Sequence, residues 1–189
     1  MPGRTEDFGR YGAVGVKGSE AVARQLDALA VFITTPITTR RGLMARLRYL
    51  TRTPHALTAA REAGLSVTDR TLKAWLAGRQ NPSAASLRMI DTAYHTVRRH
   101  NVARYLLRRL HAQGGTRVEI HPLDQSGVDG PRRRAIEFRT LNVRRWDAII
   151  TAWAAGDPTA LDRAWADVIV DLGSQWGQYD YVSNIGFAA

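Results

Sequence analysis

The chain has 189 residues, 44% of them hydrophobic, enough to bury a core as one mid-sized domain or two small ones. It contains no cysteine, which excludes disulfides and thiolate metal sites. No apolar run reaches the roughly 18 residues a membrane helix needs, and no secretory signal opens the chain, so a cytoplasmic protein with no membrane partner is expected. The formal net charge is +10, which turns attention to polyanions.

Residues 1–18 hold five glycines and one proline and read as a flexible arm. From Ser19 to Phe32, Val22, Leu26 and Leu29 recur at helical spacing that continues to Ile33, and Pro36 breaks the pattern. Leu43, Met44, Leu47 and Leu50 begin a second helix, with Arg46 and Arg48 expected outward. Pro54 opens a third. Residues 84–112 read as one or two helices. Leu87, Ile90, Ala93, Tyr94 and Val97 make one apolar stripe there, and Val102, Tyr105, Leu106 and Leu110 a second. Gly114 and Gly115 close the region.

The pattern then changes period. Thr116 to His121 alternates, with Val118 and Ile120 on one face, and Arg132 to Leu141 alternates again through Ile136 and Phe138. With LDQSGVDGP between them, these read as an antiparallel two-stranded unit that needs helices to pack on. Arg145 to Ala155 and Pro158 to Trp176 read as two helices, with Asp157 capping the second. The aromatic tail from Gly177 reads as a loop or short strand. The expected fold is therefore mainly α with a small antiparallel β unit (α+β): a flexible arm (1–18), a helical domain (19–112), and a β-hairpin with helices (113–189).

Charge is distributed unevenly along this plan. Residues 40–114 hold fifteen Arg or Lys against three acids, whereas residues 146–189 hold one arginine against six aspartates. Only Lys17 and Lys73 of the 27 basic residues are lysine. Arginine's planar fork suits phosphate and guanine edges, although a GC-rich genome produces the same bias.

Within the basic stretch, about residues 54–79, lies a pattern with a mechanical reading. The segment HALTAAREAGLSVTDRTLKAWLAGRQNP, His55 to Pro82, fits a helix-turn-helix. Ala59, Ala60 and Ala63 are small where two helices cross closely, and Gly64 supplies a positive backbone angle at the turn. Leu65 plugs the corner, Thr68 or Asp69 can cap the second helix, and Leu72, Trp75 and Leu76 form its buried side. Arg70, Thr71, Lys73 and Ala74 then face outward where recognition helices meet base edges. Arg79 follows the helix at a place suited to a phosphate. Seven residues separate Gly64 from Leu72, about two more than usual, so either the turn is long or the second helix starts late. Arg98, Arg99, Arg104 and Arg108 are the further phosphate candidates, and a helical hairpin with a solvated arginine face is the plainer alternative.

Other constellations carry less. Trp75 reads as a core anchor, and Trp146, Trp153, Trp165 and Trp176 as core or interface. The five histidines form no H-x-x-x-H pair, so no metal is expected. No phosphate loop, nucleophile elbow or zinc-protease motif is present, so neither a cofactor nor catalysis is expected. Asp162, Asp167 and Asp171 read as a solvated helix face.

The succession LMARLRYLTR, RTLKAWLAGRQNP, an arginine-rich helix, GGTRVEIH, a loop, RRRAIEFRTL and helices split by AAGDPTAL resembles the telomere terminal proteins of Streptomyces linear replicons over about residues 43–175. The resemblance implies a protein of the bacterial nucleoid that binds double-stranded DNA at replicon ends. It also implies covalent attachment to a DNA 5′ end through a hydroxyl that a polymerase extends, with a telomere-binding or polymerase partner. In the matching loop, LDQSGVDG, the family carries a threonine and this chain has only Ser126. Thr116 and Thr140 on the flanking strands are poorer candidates. Two other functions fit the residues: a helix-turn-helix transcription regulator or plasmid control protein forming a homodimer through its C-terminal half, and a basic structural or assembly protein.

Overall fold

A computed structural model describes residues 16–122, 139–171 and 181–188. Among these it forms a mainly helical α+β fold. Two compact units emerge: Ala30–Val102, and a second built from Met1–Leu29 with Ala103–Ala189. This differs from the expected division at residue 112. The first helix belongs with the C-terminal half of the chain.

The Ala30–Val102 unit contains α2 (Arg40–Thr51), α3 (Pro54–Glu62), α4 (Asp69–Leu76) and most of the long α5 (Ala84–His111), which is a single helix. Threonine starts the first three of these. Thr39 Oγ1 accepts from the Gly42 amide at 3.1 Å, Thr53 from Ala56 at 3.1 Å and Thr68 from Thr71 at 3.2 Å. Each satisfies one of the free amides at a helix start. Leu47, Leu50, Ala60, Leu65, Leu72, Trp75, Ile90, Ala93, Tyr94 and Val97 pack as one buried cluster.

One expectation fails in this core. Arg46 was placed outward beside Arg48, but only Arg48 is exposed, and Arg46 is buried at 5% exposure. Its Nε donates to Asp91 Oδ1 at 2.6 Å, Nη1 to the carbonyls of Thr35 (2.8 Å) and Gly42 (3.2 Å), and Nη2 to that of Ile33 (3.1 Å). The guanidinium also lies 5.3 Å from the centre of the Tyr94 ring. Tyr94 in turn accepts the Ile33 amide on its hydroxyl at 2.9 Å. The irregular segment before α2 is thus held by side chains from α2 and α5. Gly42 allows that segment to approach, because a Cβ there would sit 2.1 Å from the Pro36 carbonyl oxygen.

The other unit contains α1 (Gly18–Ala30), α6 (Asp147–Ala155), α7 (Pro158–Asp171) and a four-stranded antiparallel sheet. The strands are β1 (Val16–Lys17), β2 (Thr116–Pro122), β3 (Arg139–Val143) and β4 (Tyr181–Ala188), in the order β1-β4-β2-β3. Strand β2 pairs with β3 antiparallel, Val118 opposite Leu141, but β3 runs on to Val143, and the part of the expected strand that holds Ile136 and Phe138 lies outside the described residues. The sheet also gains a strand from the tail, β4, which flanks β2 on its other side. The end of the arm pairs with β4 through Val16 and Val182, so residues 16 and 17 are strand and not arm. Alternation explains the faces: Val118 and Ile120 are buried, and Arg117 and Glu119 are exposed.

Helix α1 joins this unit through long-range contacts. Ser19 Oγ donates to Asp162 Oδ1 at 2.9 Å, and Asp27 Oδ1 accepts from Trp153 Nε1 at 2.8 Å. Asp162 therefore does more than solvate a helix face. Trp146, Trp153 and Trp165 are buried as expected, and Trp176 lies outside the described residues. The expected continuation of α1 to Ile33 does not occur. Val31 adopts a left-handed conformation (φ 50°) and ends the helix before Pro36 is reached.

Replacing Arg46 by alanine removes the guanidinium from the half-exposed Asp91 carboxylate and from the Thr35 and Ile33 carbonyls, so a loss of about 1.5–3 kcal/mol is expected. Arg48→Ala, on the exposed side of the same helix, should change stability by less than about 0.5 kcal/mol. Urea unfolding of the two variants measures the difference, and equal effects would contradict the buried role of Arg46.

Candidate nucleic-acid interface

Helices α3 and α4 follow one another where the helix-turn-helix was expected, with the extra length in the connection between them. Helix α3 ends at Glu62 and α4 begins at Asp69, so Ala63–Thr68 connect them, where a turn of about three or four residues is common. Gly64 has φ 96°, and the Leu65 amide reaches back to the Ala60 carbonyl at 2.9 Å, a closure that needs a left-handed residue at this point. Leu65 is buried at the corner, and Thr68, not Asp69, is the cap.

The two faces of α4 separate cleanly. Leu72 and Trp75 are buried, while Arg70 and Lys73 are exposed. Ala74 is half-buried and offers a small, flat surface between its charged neighbours. Thr71 is less free than expected: its hydroxyl lies 2.9 Å from Thr68 Oγ1, inside the capping arrangement. Arg79 is exposed immediately after Gly78, which has φ 69° and turns the chain out of the helix.

The local electrostatics are one-sided. The Ala30–Val102 unit holds twelve Arg or Lys and three acids, Glu62, Asp69 and Asp91. Asp91 is engaged by Arg46, and Asp69 by Arg61 at 2.5 Å. The second pair is exposed and contributes little to stability, but it offsets the one carboxylate in the first turn of α4. Among the described residues Arg40, Arg41, Arg48, Arg70, Lys73, Arg79 and Arg88 carry no ion pair.

Arg40 and Arg41 were not among the sequence candidates. They stand in the first turn of α2, where backbone amides have no intrahelical acceptor. The Arg40 guanidinium lies over the exit of α4: a Cβ on Gly78 would come within 2.6 Å of its Nη2. Thr38, Thr39, Arg40, Trp75, Gly78 and Asn81 are among the residues lining a cavity of about 280 Å³ at this junction. The Trp75 indole nitrogen is buried without a protein partner. The sequence signal was the run TTRR directly before the apolar period of α2, which places a cap and two arginines at a helix start.

The four α5 arginines expected as phosphate contacts are not equivalent. Arg98 is half-buried and donates from Nε and Nη2 to the Ala30 carbonyl at 3.0 and 2.7 Å. Arg99 is half-buried with its guanidinium 5.9 Å from the Phe32 ring centre. Arg104 and Arg108 are exposed but belong to the other unit. Ser126 lies outside the described residues. Among the described residues no cluster of three His, Asp or Glu could hold a metal ion, and no helix is long and apolar enough to cross a membrane.

No protein-family model matches the chain, and neither a curated protein nor a solved structure is significantly similar to it.

Arg98 and Arg104 should separate in a stability measurement. Arg98→Ala removes a charged donor from the Ala30 carbonyl and is expected to cost about 1.5–3 kcal/mol. Arg104→Ala should leave the unfolding midpoint within experimental error. The reverse order would mean that Arg98 is a solvated side chain.

Proposed function

We propose that this chain binds double-stranded DNA by laying α4 in the major groove, with Arg70 and Lys73 reaching base edges and Arg40, Arg41 and Arg79 contacting phosphates. The single observation that carries the reading is the two-sidedness of α4. Its inner face is fixed by Leu72 and Trp75, and its outer face presents two unpaired cations beside a small alanine. Arginine can read O6 and N7 of guanine through two parallel hydrogen bonds, and a helix of this diameter fits the major groove. Surrounding cations supply the sequence-independent part of the affinity by displacing condensed counterions. The role is binding rather than catalysis, with the bacterial nucleoid as its place.

The resemblance to terminal proteins of linear replicons supports the narrower proposal that the bound duplex is a replicon end and that a hydroxyl of the chain, Ser126, joins a DNA 5′ end. Preference for terminal over internal fragments of the source DNA, and a nucleotide covalently retained on the purified protein, are the two expected signs. Binding to an internal palindrome as a dimer would instead identify a regulator.

Arg70→Ala or Lys73→Ala should each reduce discrimination between the preferred sequence and a scrambled duplex by about 1–3 kcal/mol. Arg79→Ala should weaken both duplexes alike and flatten the salt dependence. Gel-shift titrations on matched duplexes measure this. Unchanged discrimination in both α4 variants would remove α4 from base recognition.

A further inference from the structure

The second apolar stripe of α5 was expected to contain Tyr105 together with Leu106 and Leu110. The two leucines are fully buried, but Tyr105 is 52% exposed. Its environment differs from that of the other tyrosines with described side chains. Tyr94 is buried, and the Tyr49 ring is covered by Arg52 at 4.6 Å and Arg98 at 5.9 Å, with its hydroxyl accepting from Asn101. Tyr105 has no hydrogen bond, ring contact or cation contact among the described residues.

This openness is notable because cations are at hand. Arg104 precedes the tyrosine, and Arg108 follows it by three positions, the spacing that brings side chains onto a common helix surface. Both are exposed, and neither is ion-paired among the described residues. From Thr92 to His111, α5 carries five arginines and no acid. Favourable interaction with the negative end of the helix accounts for basic residues in the last turn, Arg108 and Arg109. It does not account for Arg104, which faces Arg108 four positions away, a like-charge arrangement that disfavours the helix unless an anion lies between.

We propose that the open Tyr105 ring, with Arg104 and Arg108 beside it, forms a binding site for single-stranded DNA. The ring stacks on one unpaired base, and the two guanidiniums hold flanking phosphates. An aromatic face among cations is the combination that binds single strands without reading their sequence, since every base has a π-face. A duplex cannot use it in this way, because its bases are already stacked and covered by the backbone. The site uses no residue of α4 and belongs to the other compact unit, so it goes beyond the duplex reading and does not depend on it.

The test is fluorescence anisotropy with the full chain and a labelled single-stranded oligodeoxynucleotide of about 12 nucleotides, within the span such sites cover. A blunt duplex of the same length is titrated in parallel. Tyr105→Ala should weaken single-strand binding about 10-fold, the order expected for the loss of one base stack, and leave duplex binding within about twofold. Tyr105→Phe should retain single-strand binding, because the ring and not the hydroxyl makes the contact. Arg104→Ala and Arg108→Ala should each flatten the single-strand salt dependence by about 0.7 in log–log slope. Circular dichroism of each variant verifies that α5 is retained. Wild-type protein that fails to bind the single strand at low salt overturns the proposal. Unchanged single-strand affinity in Tyr105→Ala, or equal losses for single strand and duplex, overturns it as well. Loss of duplex binding in Arg70→Ala with intact single-strand binding would leave it standing.

Discussion

The Arg46 guanidinium is the constraint on which the Ala30–Val102 unit is arranged. It gathers one carboxylate and three carbonyls from α2, α5 and the irregular segment before α2. A charge buried to this depth is unfavourable unless nearly every donor is matched, and here Nε, Nη1 and Nη2 all are. The arrangement fixes the entry to α2, and with it the position of Thr39, Arg40 and Arg41 at the helix start. Gly42 completes it by letting the Pro36 carbonyl come close.

That fixed entry matters because the surface of α4 has little of its own to hold it. Helix α4 is eight residues long, too short to persist alone in water. It is held by the Thr68 cap, by Leu72 and Trp75 in the core, and by a neighbouring α2 whose Arg40 lies over its exit turn. The base contacts proposed for Arg70 and Lys73 depend on this rigidity, since the two side chains can be aimed only as well as the helix carrying them. The same unit keeps most of its cations free by giving its arginines few acids to pair with. Of its three acids, Asp69 and Asp91 are matched to Arg61 and Arg46.

Local signals made much of this legible. Apolar periodicity located the helices, and Gly64, Leu65 and the Thr68–Asp69 pair located the turn and the start of α4. Alternation around Val118 and Ile120 located β2. What the chain did not disclose depends on distant partners. Arg46 looks like an outward residue until Asp91, 45 positions away, is brought to it. The membership of α1 rests on partners 126 and 143 positions away. Strand β4 is a strand because β2 offers it an edge. Tyr105 was assigned to an apolar stripe by its ring, and only the packing of Leu106 and Leu110 shows that it is left outside. In α5 the arginines read alike, yet Arg98 is bonded to the Ala30 carbonyl while Arg104 and Arg108 stay exposed.

The central claim is that a compact, almost unpaired set of cations around α4 binds duplex DNA with preference for some sequences. The most direct measurement is a gel-shift titration of the full chain against native-source duplex fragments, internal and terminal, at two salt concentrations. The account predicts binding that weakens with salt by about 0.9 in log–log slope for each phosphate neutralised, with at least one fragment retained selectively at the higher salt. Absence of any shift at low salt would contradict it and leave the arginines as a solvated surface.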